Sequence, residues 1–327
     1  MNALMSSYQL PANKFTREQP VTTRMLLRHT AGLNMRGFPG FSAGERISTP
    51  IEVVTGADGR EPLAVERVPG TGYAYSGGGF TLLQLILDDV FPDAPFGDSM
   101  RTLVLEPLGL SDSFFEMPLP EHFAPKTAVG HDAEGTPIPG RWHAYPQLAA
   151  GGMWTTPTDL ATFMLSIQEG RATGKHPVLN PDTLQAYLTR GAHGQFGLGI
   201  EIFDEGNRME HGGSNEGYQC WLVGSTVNAE GIVVMTNGTN GYQIAERIAF
   251  TAADHYGWNG PTPLIRVPID TSPGTRDAIA GSFSNPDFGT VTIEHRDDAT
   301  VWLLIPEVQP LELSAEADDR WFIRMTG

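Results

Sequence analysis

The sequence predicts an α+β chain that ends in a small all-β appendage. Three observations carry this. Strong helix-start signals occur at Thr156 to Asp159 and Asn180 to Asp182, short strand-like runs separated by Gly and Asn then take over, and the last part of the chain is β-like with polar turns between runs. With 327 residues the chain has room for about two domains and for a sizeable core. The boundaries that follow are residues 1–260 for the first domain, 261–274 for a linker and 275–327 for the appendage.

Residues 1–20 read as short and turn-rich. Thr22 or Thr23 caps a helix through Met25, Leu26 and Leu27, with Gly32 as its stop. From Gly37 to about Gly72 the chain is rich in Gly, Pro and polar residues and reads as loop. A helix follows Gly79. Its residues Phe80, Leu82, Leu83, Leu85, Ile86, Leu87 and Val90 are apolar on more than one face, so it is expected to be largely buried. The next helix covers about Asp98 to Leu105 and should end near Pro107, which has no N–H to donate. Residues 111–150 read as irregular.

Thr156-Pro157-Thr158-Asp159 places a cap, a proline at the first helical position and an acid in the first turn. Asn180-Pro181-Asp182 repeats that logic. Strands are expected over 197–203, 209–211, 219–223 and 232–235. A last helix, about Tyr242 to Ala253, carries Ile244, Ile248 and Ala249 at helical spacing. In the appendage, 289–293, 300–304 and 321–325 read as strands. The chain stops two residues after the last of these, which leaves open whether the appendage is complete.

Composition excludes several function classes. Hydrophobic residues make up 40% and charged residues 18%, which suits a globular protein rather than a disordered one. The net charge of -17 disfavours nucleic acid and anionic membranes as partners. No window approaches the roughly 20 apolar residues of a membrane span. The opening residues lack the basic and apolar regions of a signal peptide. The single cysteine, Cys220, sits in an apolar strand-like run and reads as a buried structural thiol. No His/Cys/Asp cluster has metal-ligand spacing, no Gly-rich phosphate loop occurs, and no G-x-S-x-G elbow is present. No cofactor is expected. The partner is a small-molecule or peptide substrate, and the oligomeric state is left open.

Two glycine-flanked segments remain as candidates for chemistry. Tyr73-Ala74-Tyr75-Ser76-Gly77-Gly78-Gly79 lies directly before a helix, where a tyrosine can present its hydroxyl to a site. A phenol titrates near ~10, so service as a base would need positive charge beside it. His211-Gly212-Gly213-Ser214 ends one strand and precedes another, and glycines on a strand edge let a substrate lie along the backbone. Alone, either segment is explained as well by tight turns.

The order of the motifs is more specific. Leu26-Leu27-Arg28-His29-Thr30-Ala31-Gly32-Leu33 closely resembles the "LLTHTSGL" signature of the β-lactamase-related serine hydrolases. Pro69 to Gly77 is similar to their "PG…F-x-Y-S-N" segment, which bears the active-site tyrosine. Ala150 to Leu160 is similar to "AGGLxSTxxDLxxF", and His211-Gly212-Gly213 falls where they carry K-T-G, H-T-G or H-G-G. The resemblance runs from about residue 1 to about residue 256. It implies the fold of β-lactamases and penicillin-binding proteins, an antiparallel sheet flanked by helices. It also implies a mechanism in which the serine of Ser-x-x-Lys attacks an amide, lactam or ester carbonyl. By the same resemblance Tyr75 moves a proton to the leaving group, the backbone N–H of Ser214 is an oxyanion donor, and Gly77, His211, Gly212 and Gly213 line the substrate. His211 would stand in for a lysine and is only partly charged near neutral pH.

This sequence departs from the family pattern in two ways. The residues three before its lysines, Lys14, Lys126 and Lys175, are Pro11, Phe123 and Ala172, so no Ser-x-x-Lys is present. The opening resembles the family segment just after the nucleophile helix, so the sequence reads as beginning inside the domain, without that helix and the first strands. Gly77 stands where many relatives carry asparagine, which argues against an efficient β-lactamase. Three readings follow: a serine hydrolase lacking its nucleophile segment in this chain, a non-catalytic binding or scaffold relative, or a site completed by another chain. An exported or periplasmic location fits a full-length form. Among the remaining residues, His29 is expected to hold the Thr30–Gly32 turn, Trp154 and Trp221 to pack, and Asp159 to start a helix.

Overall fold

The computed structural model describes residues 1–327 except 259, 262–265, 286–288, 297–298, 307–309 and 324–327. The chain divides into two compact units, Met1–Thr262 and Pro263–Gly327.

The first unit begins with helices. α1 (Lys14–Glu18) is held by Asn13 and Thr16 in a reciprocal capping box, and α2 (Thr23–Leu27) by the Thr22 side chain. Gly32 lies past the end of α2, in the left-handed region at φ 73. α3 (Pro50–Thr55) lies inside the stretch expected to be loop. It has a full capping box between Thr49 and Glu52, a proline in its first turn and a left-handed Gly56 at its end. The start signature is the one that marked Pro157 and Pro181, but the surrounding glycines and prolines masked it.

α4 (Gly77–Val90) starts three residues earlier than expected and buries Leu82, Leu85 and Ile86, with Val90 left exposed. α5 (Phe96–Met100) continues through a wide π-type turn, Arg101–Leu105, into α6 (Glu106–Leu108). The helical path therefore passes Pro107. A new turn begins at Glu106, where a proline's missing N–H has no partner to lose, and Gly109 ends it at φ 71. Residues 111–150 are largely irregular, with one 3₁₀ turn at Ala124–Lys126 and the short α7 (Leu148–Gly151).

α8 (Pro157–Thr173) and α9 (Pro181–Tyr187) start where the Thr156 and Asn180 caps place them. An antiparallel sheet follows in the order β1 (Glu201–Phe203), β2 (Arg208–Asn215), β3 (Tyr218–Ser225), β4 (Gly231–Thr236). Side-chain alternation along β3 divides its two faces. Trp221 and Val223 pack on Ala245 and Ala249 of α10 (Gly241–Tyr256), while Leu222 packs with Met164 and Ile167 of α8. Helices thus flank the sheet on both faces, the α+β arrangement the motifs implied. On α10 the buried stripe is Ala245, Ala249 and Ala253, so Ile244 and Ile248 are exposed despite their helical spacing. Small residues let the helix sit close to the sheet.

In the second unit, Ile269 pairs with Ala315 and α11 (Pro273–Ile279) precedes an antiparallel meander. Its order is β5 (Gly281–Asn285), β6 (Gly289–His295), β7 (Val301–Leu304), β8 (Leu311–Ala317), β9 (Arg320–Ile323). Arg324 and Met325, expected in the last strand, lie outside the described residues. Among the described residues no helix is long and apolar enough to cross a membrane.

Candidate active site

The tip of α4 is fixed from several directions. Ser76 is its N-cap. The Ser76 hydroxyl accepts from the Gly79 N–H at 3.1 Å and donates to the Met35 carbonyl at 2.6 Å. The Gly77 and Gly78 N–H groups donate to the Arg36 and Met35 carbonyls. The free donors of a helix start are therefore taken up by the 35–36 loop, not offered to a ligand. Gly77 is buried against this loop: a Cβ there would lie 2.9 Å from the Phe38 ring and 3.0 Å from the Arg36 carbonyl oxygen. A side chain at 77 fits only if the loop moves.

Tyr75, just before the cap, is half-buried. Its ring stacks on His29 at 4.1 Å and lies 6.0 Å from Phe196. Burial raises the phenol pKa, and the Glu201 carboxylate adds to this. The positive charge that would make Tyr75 a base is not what surrounds it, so in this chain Tyr75 keeps its proton.

His211 meets the same aromatic cluster from the sheet. Its ring packs edge-on to Phe196 at 5.8 Å, so Phe196 joins the helix-tip tyrosine to the strand histidine. The His211 Nδ1–H donates to the Gly212 carbonyl at 2.6 Å, which leaves Nε2 as an acceptor. Burial lowers the His211 pKa and favours the neutral ring.

His211-Gly212-Gly213-Ser214 lies within one strand rather than between two, because β2 runs on to Asn215 and pairs with β3 along its whole length. β1 pairs only with Arg208–Glu210. Among the described residues, the outer edge of β2 therefore has no strand partner from His211 to Asn215. The two glycines differ. A Cβ on Gly213 would lie 2.5 Å from the Cys220 sulfur, whereas at Gly212 the nearest atoms are 3.8 Å away. Cys220 is a free thiol whose pKa burial raises, consistent with a packing role. Ser214 is exposed, and its Oγ accepts from Gln219 Nε2 at 2.8 Å.

Several residues that hold this region together were not singled out in the sequence. Asn215 Nδ2 donates to the Gly151 carbonyl at 2.8 Å, and the Glu216 N–H donates to the Tyr145 hydroxyl at 2.9 Å. The first ties the β2–β3 turn to the Ala150-Gly151-Gly152 segment and the second to Tyr145, upstream of it. Phe196 is a lone aromatic in a Gly-rich loop and carries no local signal of its role. Asp159 does more than start α8: its carboxylate accepts from the Asp112 N–H and the Ser113 hydroxyl. Trp154 packs between Trp142 and Tyr218. No group of three or more His, Cys, Asp and Glu residues that could hold a metal is found among the described residues.

The family model named Beta-lactamase matches residues 7–256. This chain belongs to the beta-lactamase family. The four motifs quoted above all fall inside the matched range. Solved structures with the same fold include SurE, at 23% identity and TM-score 0.58, covering 92% of this chain and 70% of that one. A second is the octameric penicillin-binding protein homologue from Pyrococcus abyssi, at 21% identity and TM-score 0.58, covering 90% and 69%. A third is the D-amino acid amidase from Ochrobactrum anthropi SV3 complexed with D-phenylalanine, at 20% identity and TM-score 0.55, covering 73% and 82%. At such identities the likeness is one of fold. No curated protein sequence matches this beta-lactamase-family chain.

Proposed function

We propose that this chain carries the proton-handling and substrate-lining part of a serine hydrolase site for ester, D-amino-acid peptide or lactam carbonyls, working through an acyl-enzyme. The observation that supports it is the convergence of Tyr75 and His211 on one aromatic ring, beside the unpaired edge of β2. A carbonyl compound laid along that edge would meet backbone groups of Gly213 and Ser214 and the phenol of Tyr75. Tyr75, protonated, would deliver a proton to the leaving group, and the Ser214 N–H would stabilise the oxyanion. Gly77 would contribute through the close approach of the 35–38 loop rather than through a side chain.

Within that range the reading favours esters and D-amino-acid peptides over classical β-lactams. A neutral His211 with an acceptor at Nε2 supplies no cation for a substrate carboxylate. In the same proposal residues 1–260 form the hydrolase domain, 261–274 the linker and 275–327 a separate β domain.

Because the sequence has no Ser-x-x-Lys, the chain by itself should not acylate. The test is intact-mass spectrometry after exposure to a fluorophosphonate and, separately, to penicillin, alongside NMR titration with D-phenylalanine amide. The expected result is no added mass, with amide shifts at Gly213 and Ser214 on titration. Stoichiometric labelling would show an activated serine outside Ser-x-x-Lys and overturn the inactive-alone reading. Absence of shifts at the β2 edge would instead favour a scaffold role.

A further inference from the structure

Residue 29 was expected to hold the turn that follows it, yet its side chain is directed elsewhere. The His29 imidazole is 2% exposed. Its Nδ1 accepts the Ser76 N–H at 3.0 Å, across 47 residues of sequence. The His29 carbonyl accepts the Ala74 N–H at 2.8 Å. One residue thus grips the backbone on both sides of Tyr75 while its ring lies on the Tyr75 ring, with an interplanar angle of 29°.

His29 adopts φ 53, a conformation that asparagine tolerates better than most side chains. Since Nδ1 accepts, the proton of the neutral ring is on Nε2. That atom is sealed from solvent and has no hydrogen-bonding partner. Phe196 packs against the imidazole at 4.6 Å and 83°, an edge-to-face arrangement that lets a ring N–H meet a π face. Phe80 stacks on the imidazole at 5.3 Å, and Tyr73 lies edge-on at 6.3 Å.

We propose that His29 is the positioning residue for Tyr75: a two-sided backbone clamp and a stacked ring that together fix the phenol's direction. The proposal rests on the reading of Tyr75 as the reacting phenol but is tested independently of turnover. The titratable groups that bear on the pair are His211, Glu201 and Tyr73. Burial, with the His211 charge second, drives the His29 pKa down to about 3, so the ring stays neutral at ordinary pH.

The test uses the full chain with ¹³Cζ-labelled tyrosine and ¹⁵N-labelled histidine, the Tyr75 signal being assigned by its loss in Tyr75→Phe. His29→Asn keeps an acceptor close to the Nδ1 position and loses the ring. His29→Phe keeps a ring and loses the acceptor. The expected result in the unaltered chain is an Nε2–H tautomer that does not titrate between pH 4 and pH 9, roughly two units either side of the ordinary histidine value. His29→Asn, which uncovers the phenol, should move the Tyr75 titration midpoint down towards ~10, while His29→Phe, which keeps a ring over it, should leave the midpoint raised. The Ser76 amide should stay protected from hydrogen exchange in His29→Asn and lose protection in His29→Phe. If His29 titrates near ~6.5 in the unaltered chain, or if the Tyr75 midpoint is unmoved in folded His29→Asn, the clamp is wrong. The first measurement needs no variant to fold. Loss of ligand shifts at β2 with the clamp intact would instead strike the functional reading.

Discussion

The tip of α4 and the outer half of β2 face the same aromatic cluster but are built in opposite ways. Around Tyr75 nearly every polar group is taken: Ser76 caps the helix, the 35–36 loop absorbs its first donors, and His29 holds both neighbours. From His211 to Asn215, β2 is paired on one edge and, among the described residues, has no strand partner on the other. The first design fixes a direction, and the second leaves a backbone edge with unspent pairing capacity. Under the proposed function the contrast would separate orienting a proton from receiving a ligand, and it can be broken or sharpened by substitution.

The largest effect is expected just outside the open stretch. Glu210 sits where β2 is paired on both edges. Burial pushes its carboxyl up to about 7, with Arg208 opposing and Glu201 adding to the rise. One Glu210 oxygen is sealed without a partner. A carboxyl whose folded pKa exceeds its unfolded value favours folding below about pH 4.5. That contribution is lost as pH rises through about 7. Glu210→Gln should therefore gain up to ~3 kcal/mol of stability at pH 8 relative to its effect at pH 4. Urea melts at the two pH values would show this, and parallel curves would place the carboxylate in water.

Next comes the closed face of the glycine pair. Gly213→Val forces a Cβ onto the Cys220 sulfur and should cost about 1–3 kcal/mol in the same melts. Ser76→Ala removes the α4 cap and should cost ~1 kcal/mol. The added diagnostic is faster amide exchange at Gly79. Gly212→Ala is the smallest, within about 0.5 kcal/mol, because its Cβ would make only ordinary van der Waals contact, no closer than 3.8 Å. Equal losses at 212 and 213 would mean that the two glycines are not distinguished as the packing around them requires.

Much of this was legible in advance. Cap–proline–acid strings located α8 and α9, and ordered motifs gave the family and the sheet and singled out Tyr75 and His211, whose rings both lie against Phe196. Local chemistry did not reveal what non-local packing decides. α3 carried a readable cap inside a Gly/Pro-rich stretch, and composition outweighed it. Ile244 and Ile248 have core spacing, but the sheet accepts only the alanine stripe of α10. Phe196 and the His29 clamp depend on segments far apart in sequence meeting, and no local pattern encodes such a meeting.

The meander of the second unit has a kinetic consequence. From β5 to β9 each strand pairs with the next in sequence, so closing the sheet requires only short loops. The Tyr75 cluster draws together residues 29, 75, 196 and 211, whose contacts form only after long loops close. In refolding, the β5–β9 sheet should acquire its pairing early, while the ring stack on Tyr75 is among the last signals to return.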